Sequence, residues 1–445
     1  MTSRKLMQIQ DEDATIMANG QDVLNYSKAG TGKTLSALEA FKRAGMKRGL
    51  VLCPQIALAM WEQEIKAWLG ASVKTLNRSG AVPTDTDFIV TTFDLARGGM
   101  RGELYTQFRD TDALILDEAH YLRRHTSKRT QAVFGVKCDG KGGLAEKFGQ
   151  VWSLTGNPIY RHHDDLWSQL RYLYGAVLKE YGALSYEQFI KIFCVAKLKQ
   201  HHPKMPPAMS IISSRNAPII NKILYDEIGA IRRMVANELP KKIETYLYPK
   251  VGAVPSEYAK LVHSMSEADL LKALIAEDGD EDHTMQQVWQ AVTLAKVQGS
   301  IDYLTEIARD GPVLIGVWHS SVGEAYQTEL RKAGYSCERV YGATPSRKRE
   351  EIRDSFNAGN LDFIVGQMQA MGVSWNLQEA SNRVVIAQDH FSPSIIEQFY
   401  KRVYRTGQER TTYVDFLVSQ HPLDKAIIKL REQRERLQSI ALDQH

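Results

Sequence analysis

Apolar residues along this chain gather into short runs bounded by turn or polar residues. One set lies at 23–26, 50–53, 88–90, 114–116 and 151–154, and a second at 313–317, 363–365, 384–387 and 413–418. Between the runs, apolar residues recur at helical spacing, as in Leu35, Leu38 and Phe41 or Trp61, Ile65, Trp68 and Leu69. Short strands alternating with helices predict α/β units on parallel sheets. Two sets with more than a hundred residues between them predict two such domains in tandem. The middle, about 160–300, has a helical pattern interrupted by a Pro- and His-rich stretch at 200–207 and an acidic patch at 277–282. Both read as exposed loops between helices. A Gly/Lys segment at 135–143 reads as a flexible surface loop, and 424–440 as one amphipathic helix rich in Arg and Glu.

Composition narrows the picture. A chain of 445 residues allows two or three domains, each able to bury its own core. Lys and Arg number 56 against 52 Asp and Glu, a formal net of +4, which excludes coating of nucleic acid by bulk charge. Any contact with nucleic acid must come from a local surface. Cys53, Cys138, Cys194 and Cys337 stand far apart with no C-x-x-C pair, as in a reducing compartment. No run is long enough to span a bilayer, and the first residues lack the apolar stretch of a secretory signal. The expectation is a soluble protein of the cell interior with no membrane partner, cytoplasmic in a prokaryotic or virus-infected cell and nuclear in a eukaryote.

Candidate chemistry begins with Ser27, Lys28, Ala29, Gly30, Thr31, Gly32, Lys33 and Thr34, between a predicted strand and a predicted helix. That is the context a phosphate-binding loop requires. Gly30 and Gly32 let backbone N–H groups curl round a phosphate at the positive end of the helix. Lys33 is expected to neutralise β- and γ-phosphates, and the Thr34 hydroxyl to hold Mg²⁺. Ser27 departs from the usual first Gly. A second signal is Leu114-Ile-Leu-Asp-Glu-Ala-His120, an apolar strand ending in two acids at the sheet edge where such folds bind ligands. Asp117 is expected to act on Mg²⁺ through its water shell, and Glu118 to orient and deprotonate an attacking water. A third signal is the segment 398–408, in which Arg402 and Arg405, three apart on a predicted helix, present two guanidiniums in one direction, suited to a polyphosphate.

Taken together, these motifs resemble those of the SNF2-type (Swi2/Snf2-like) ATPases of helicase superfamily 2. The resemblance runs from about residue 6 to about 430 in motif order. Leu6-Met-Gln-Ile-Gln10 looks like the Q-motif region, Leu50-Val-Leu-Cys-Pro54 with Trp61 like motif Ia, Val90-Thr-Thr-Phe93 like motif Ib, and Leu154-Thr-Gly-Asn-Pro-Ile159 like motif III. Arg123 and Ser127-Lys-Arg129 match the basic stretch after motif II. Two further stretches separate this family from other superfamily 2 members: 231–242, similar to its L-R-R…L-P-x-K segment, and Tyr404-Arg-Thr-Gly-Gln408 within motif VI. Tyr341-Gly-Ala-Thr-Pro345, with Arg349 and Phe356, fits the block before motif V. Motif V matches least: Gly372, Asn376 and Leu377 fit, while Met371, Ser374 and Trp375 depart.

The resemblance implies an α/β protein of two tandem RecA-like parallel-sheet domains with helical protrusions. The first would span 1–249, with a protrusion at about 175–240, and the second 250–445, with a protrusion at about 255–300 and a C-terminal helix. It implies ATP and Mg²⁺ as cofactors, with Gln10 reading adenine, Gln398 beside the nucleotide, and Arg402 and Arg405 reaching the phosphates on domain closure. It further implies a monomeric ATPase translocating on double-stranded or branched DNA in replication, recombination or repair, as in fork reversal or branch migration, with protein partners there. Thr91, Thr92, Arg123, Lys128, His319, Ser320 and Ser374 are the candidate phosphate contacts. Short polar groups at strand ends position a backbone without reading sequence, although each hydroxyl could equally cap a helix or turn. Two alternatives stand beside this reading: a strand-separating DNA or RNA helicase, and a nucleotide-gated DNA-binding scaffold with little turnover. The pairs His162-His163 and His201-His202 lack the spacing of a zinc site, and Trp61 and Trp68 share a helical face suited to core packing. Trp375 is left as a candidate for base stacking.

Overall fold

The apolar runs form strands of two parallel sheets, all interior except the first run, which lies at an edge, in the computed structural model, which describes residues 5–28, 30–110, 112–199, 208–234, 239–266, 269–271, 273, 283–371, 375–405 and 407–443. The first sheet contains β1 (Val23–Asn25), β2 (Gly49–Cys53), β3 (Val73–Leu76), β4 (Phe88–Thr92), β5 (Ala113–Asp117) and β6 (Gln150–Leu154). Their order is β1-β6-β5-β2-β4-β3, with every pair parallel. Side chains alternate across the sheet. Leu50 and Leu52 therefore join a core with Phe93, Leu104 and Phe134. Val51 and Cys53 face the opposite layer, where Leu38 and Phe41 of helix Lys33–Arg43 and Trp61 and Ile65 of helix Leu58–Leu69 pack. Burial on both faces explains why β2 and β4 are apolar runs without polar alternation.

The middle of the chain corrects its all-helical reading. β7 (Cys194–Lys199) and β8 (Ala208–Ser214) pair antiparallel on either side of the Pro/His stretch, which lies outside the described residues, as does the acidic patch. The 135–143 segment is a surface loop with Val136 exposed, but it is anchored at its centre and ends. Its Cys138 is fully buried, and a Cβ on Gly143 would lie 2.4 Å from the Gly135 nitrogen.

The second sheet holds β9 (Lys242–Leu247), β10 (Val313–Val317), β11 (Cys337–Val340), β12 (Phe363–Gln367), β13 (Arg383–Ile386) and β14 (Thr412–Leu417). Its order is β11-β12-β10-β13-β14-β9, again with parallel pairs throughout. Val322, Tyr326 and Leu330 of helix Ser320–Lys332 pack on it with Ile301 and Leu304 of helix His283–Ile307. The Lys296 ammonium, fully buried, meets the Asp424 carboxylate at 2.9 Å and the Leu417 carbonyl at 2.9 Å, so its charge is paired and hydrogen-bonded.

Contacts divide the chain into two units. One comprises residues 1–200, 207–236 and 437–445, the other 201–206 and 237–436. Helix Pro422–Leu442 starts in the second and ends in the first. All four cysteines are buried and free. Among the described residues no helix is long and apolar enough to cross a membrane.

Candidate active site

The loop from Ser27 to Gly32 leaves the end of β1 and enters helix Lys33–Arg43. Gly30 (φ +91°) and Gly32 (φ +83°) occupy the left-handed region that a side chain would strain. A Cβ on Gly32 would also lie 1.9 Å from the Gln10 amide nitrogen. Gln10 is buried. Its Nε2 donates to the Thr31 carbonyl at 3.3 Å, and its Oε1 accepts from the Met7 N–H at 3.0 Å. The Lys33 ammonium donates to the Ser27 and Lys28 carbonyls at 2.7 and 3.2 Å, which curls the loop around its own cation. The Thr31 hydroxyl donates to the Lys28 carbonyl at 2.9 Å. Thr34 lies half-buried in the first turn of the helix, and Ala29 lies outside the described residues.

Asp117 ends β5 on the same sheet. One carboxylate oxygen accepts from the Trp61 indole N–H at 2.8 Å and the other from the Glu118 N–H at 3.0 Å. Burial, then the charge of Glu118, pushes its pKa up to about 6, while the Trp61 bond and the Lys33 charge oppose the shift. Adjacent strand residues point to opposite faces. Glu118 escapes this rule by adopting φ +53°, ψ +49°, a left-handed conformation that costs a non-glycine residue roughly 1–2 kcal/mol. Its carboxylate meets His120 Nδ1 at 3.1 Å and accepts from the Thr155 hydroxyl at 3.5 Å, and His120 Nδ1 and Thr155 Oγ1 are 3.1 Å apart. His120 and Thr155 lie within motifs that give them no role from sequence, and the helical spacing of Trp61 marks it as core. No periodicity shows that a core indole reaches a carboxylate from a different element.

In the second unit, helix Pro393–Tyr400 carries half-buried Gln398 but ends before the two arginines. The chain tightens there, with Arg402 N–H donating to Phe399 and Val403 N–H to Tyr400, before turning at Gly407 (φ +93°). The expectation of two arginines along one helix is therefore corrected. Arg402 is buried, and its carbonyl accepts from the Leu377 N–H. The Arg405 guanidinium donates to the Asn376 side chain, and burial lowers its pKa. Arg349 gathers the Thr344, Tyr341, Gly342 and Ala370 carbonyls, closing the segment before motif V against its start.

The remaining candidates separate. Thr91 is fully buried with its hydroxyl on the Leu76 carbonyl, so it has no surface to offer a phosphate. Thr92, 7% exposed, caps helix Phe93–Arg97 by accepting from the Leu95 N–H. These two take the structural role instead. Arg123 lies over the Tyr160 ring at 4.2 Å and faces Asp165 at 3.8 Å, while Lys128 is exposed. His319 bonds Gln286 and Gln388, each at 2.7 Å, and burial lowers its pKa; Ser320, next to it, is exposed. Ser374 lies outside the described residues, and Trp375 is buried, which removes it from base stacking.

The family model for the SNF2-related domain matches residues 26–296, and that for the helicase conserved C-terminal domain matches 295–407. A mouse protein named SWI/SNF-related matrix-associated actin-dependent regulator of chromatin subfamily A member 1 is 23% identical over 97% of this chain and 42% of its own. The Caenorhabditis elegans homolog of the subfamily A-like protein 1 is 25% identical, over 72% of this chain and 44% of its own. Mouse DNA repair and recombination protein RAD54B is 22% identical, over 89% and 50%. The chain thus spans half or less of these relatives. Among solved structures, the Sulfolobus solfataricus SWI2/SNF2 ATPase core in complex with dsDNA shares 22% identity over 94% of this chain and 88% of that chain, with a TM-score of 0.43.

Proposed function

The chain belongs to the SNF2-related family of helicase-like ATPases, and from that premise we propose that it is a DNA-dependent ATPase that translocates along duplex DNA, remodelling DNA structures or protein–DNA complexes. The observation that carries the reading is the joint position of the phosphate-type loop and the Asp117–Glu118 pair on one sheet, within electrostatic reach of each other.

The donor set fits a magnesium nucleotide: a lysine, a hydroxyl beside it, glycines in left-handed turns and one carboxylate held by two N–H donors. Thr34 and Asp117 would hold Mg²⁺, which supplies charge neutralisation across the β- and γ-phosphates. Lys33 would exchange the Ser27 and Lys28 carbonyls for phosphate oxygens. Glu118, steadied by His120 and Thr155, would orient the attacking water and take its proton. Arg402 and Arg405 would stabilise charge on the transferring phosphoryl group, a contribution worth roughly 10³–10⁵ in rate for such arginines. Gln10 would read the adenine base, and Gln398 is the further proposed nucleotide-binding residue. Arg123, Lys128, His319, Ser320 and Ser374 remain the proposed DNA-facing set.

The test is the rate of phosphate release on closed circular duplex, single-stranded, forked and four-way DNA. Full stimulation by the closed circle is the expected result. Stimulation that requires an end or single strand would favour strand separation, and no stimulation by any DNA would sink the motor and leave a gated scaffold.

A further inference from the structure

Residues 231–233 include two adjacent arginines, Arg232 and Arg233, and their surroundings explain the serine that opens the phosphate loop. Residues 231–233 run parallel to β1 and extend the sheet by one more short chain. Ile231 N–H donates to the Leu24 carbonyl at 2.9 Å, Tyr26 N–H to the Ile231 carbonyl at 2.8 Å, and Lys28 N–H to the Arg233 carbonyl at 2.9 Å. The pairing runs past the end of β1 into the loop itself. The Ser27 hydroxyl accepts from the Arg233 N–H at 3.0 Å, a bond that the usual glycine could not make.

The side chains add a second layer. The Arg232 guanidinium is almost wholly buried. It donates to the Tyr26 carbonyl at 2.7 Å, immediately before the loop, and to the Gly156 carbonyl at 3.3 Å, immediately after Thr155. Its other nitrogen meets the Asp443 carboxylate at 2.9 Å. Asp443 is itself fastened: its carbonyl accepts from the Asn221 side chain at 2.9 Å and its carboxylate from the Ser439 hydroxyl at 2.8 Å. Arg233 reaches the other way, to Asp13 at 2.8 Å on the helix that carries Gln10. One dipeptide thus joins the loop to the strand end bearing Thr155, to the Gln10 helix and to Asp443.

We propose that Arg232 is a positioning residue for the phosphate loop, held in register by Asp443, and that Ser27 replaces glycine to lock the loop onto Arg233. This rests on the nucleotide-binding reading above. The planar fork of Arg232 fits two carbonyls and a carboxylate at fixed angles, which a lysine point charge cannot do. A loop held before the ligand arrives loses less freedom on binding. The expected effect is therefore on affinity rather than on the bond-making step.

The experiment is equilibrium titration of the full chain with a fluorescent ADP analogue, beside the KM and kcat for ATP and a thermal melt. Arg232→Lys is expected to weaken ADP binding and raise the KM for ATP about tenfold with kcat nearly kept, and Asp443→Asn to weaken binding about threefold. Because Asp443 acts through Arg232, the double variant should be no weaker than Arg232→Lys alone. Ser27→Gly should weaken binding by about threefold and lower the melt by a few degrees, because the part-buried Arg233 N–H loses its acceptor. Should Arg232→Lys fail to fold, Asp443→Asn and Ser27→Gly decide. Wild-type affinity in the folded variants overturns the positioning role alone. A wild-type chain that binds no ADP overturns the nucleotide reading, and this proposal with it.

Discussion

Trp61 illustrates how a residue can serve two layers at once. Its ring fills the core beneath β2 and β5 while its N–H holds the carboxylate proposed to face the metal. A hydrogen bond to a charged group contributes about 1.5–3 kcal/mol. Trp61→Phe keeps most of the ring and removes the donor, so the Mg²⁺ concentration giving half-maximal nucleotide binding should rise about tenfold. Titrating Mg²⁺ against a bound fluorescent nucleotide measures this, and an unchanged Mg²⁺ midpoint would show the indole to be packing only. Glu118→Gln should abolish hydrolysis while leaving ATP binding intact, read by phosphate release against nucleotide titration. Its left-handed backbone carries a cost that the proposed role would account for, by turning adjacent carboxylates toward one site. The string Asp-Glu-Ala-His carries a sequence signal for the proposed chemistry; the backbone turn does not, because a glutamate carries no local signal for positive φ.

At the scale of elements, what the sequence made readable follows from burial. The interior strands are apolar on both faces and stand out as runs, so the two parallel sheets were anticipated. The edge strands β3, β9 and β11 were not, because each mixes polar with apolar residues. The β7–β8 pair was hidden in the same way by its lysines and serines. Edge β1 carries a titratable weakness next to it. Asp22 accepts from the Val151 N–H at 2.7 Å, yet burial pushes its pKa up to about 6. The folded protein therefore holds that proton more tightly than the unfolded chain, whose Asp titrates near 3.8. Ionised Asp22 costs stability fully above about pH 6, and the cost fades as pH falls through the window toward the unfolded value. Asp22→Asn should raise the melting temperature by about 3 °C at pH 8 and by little at pH 4. Melts across that range test the sign; a gain confined to low pH would contradict it.

For the molecule as a whole, a net of +4 offers little long-range attraction, so the proposed DNA contact would rest on a few local cations. Binding should still weaken steeply between about 50 and 200 mM salt, because each neutralised phosphate releases counterions. A salt-independent affinity would exclude contact through the DNA backbone. The family could be read from motif order along nearly all the chain, since the motifs lie on strand ends where chemistry dictates residue type. The role of Arg232 could not be read, because its partners lie 206, 76 and 211 residues away.

That separation bears on how the protein comes into being. Segments tend to fold as they leave the ribosome, first-made first. Here the Ser27–Gly32 loop is synthesised before its outer neighbour at 231–233, which follows the β7–β8 pair and several helices, and Asp443 comes only after the whole second sheet. The nascent first sheet must wait with an open edge at β1, the kind of unpaired strand that invites wrong partners. Birth order and completion order are thus reversed, and a ribosome-bound chain halted near residue 230 should be the species most dependent on chaperones.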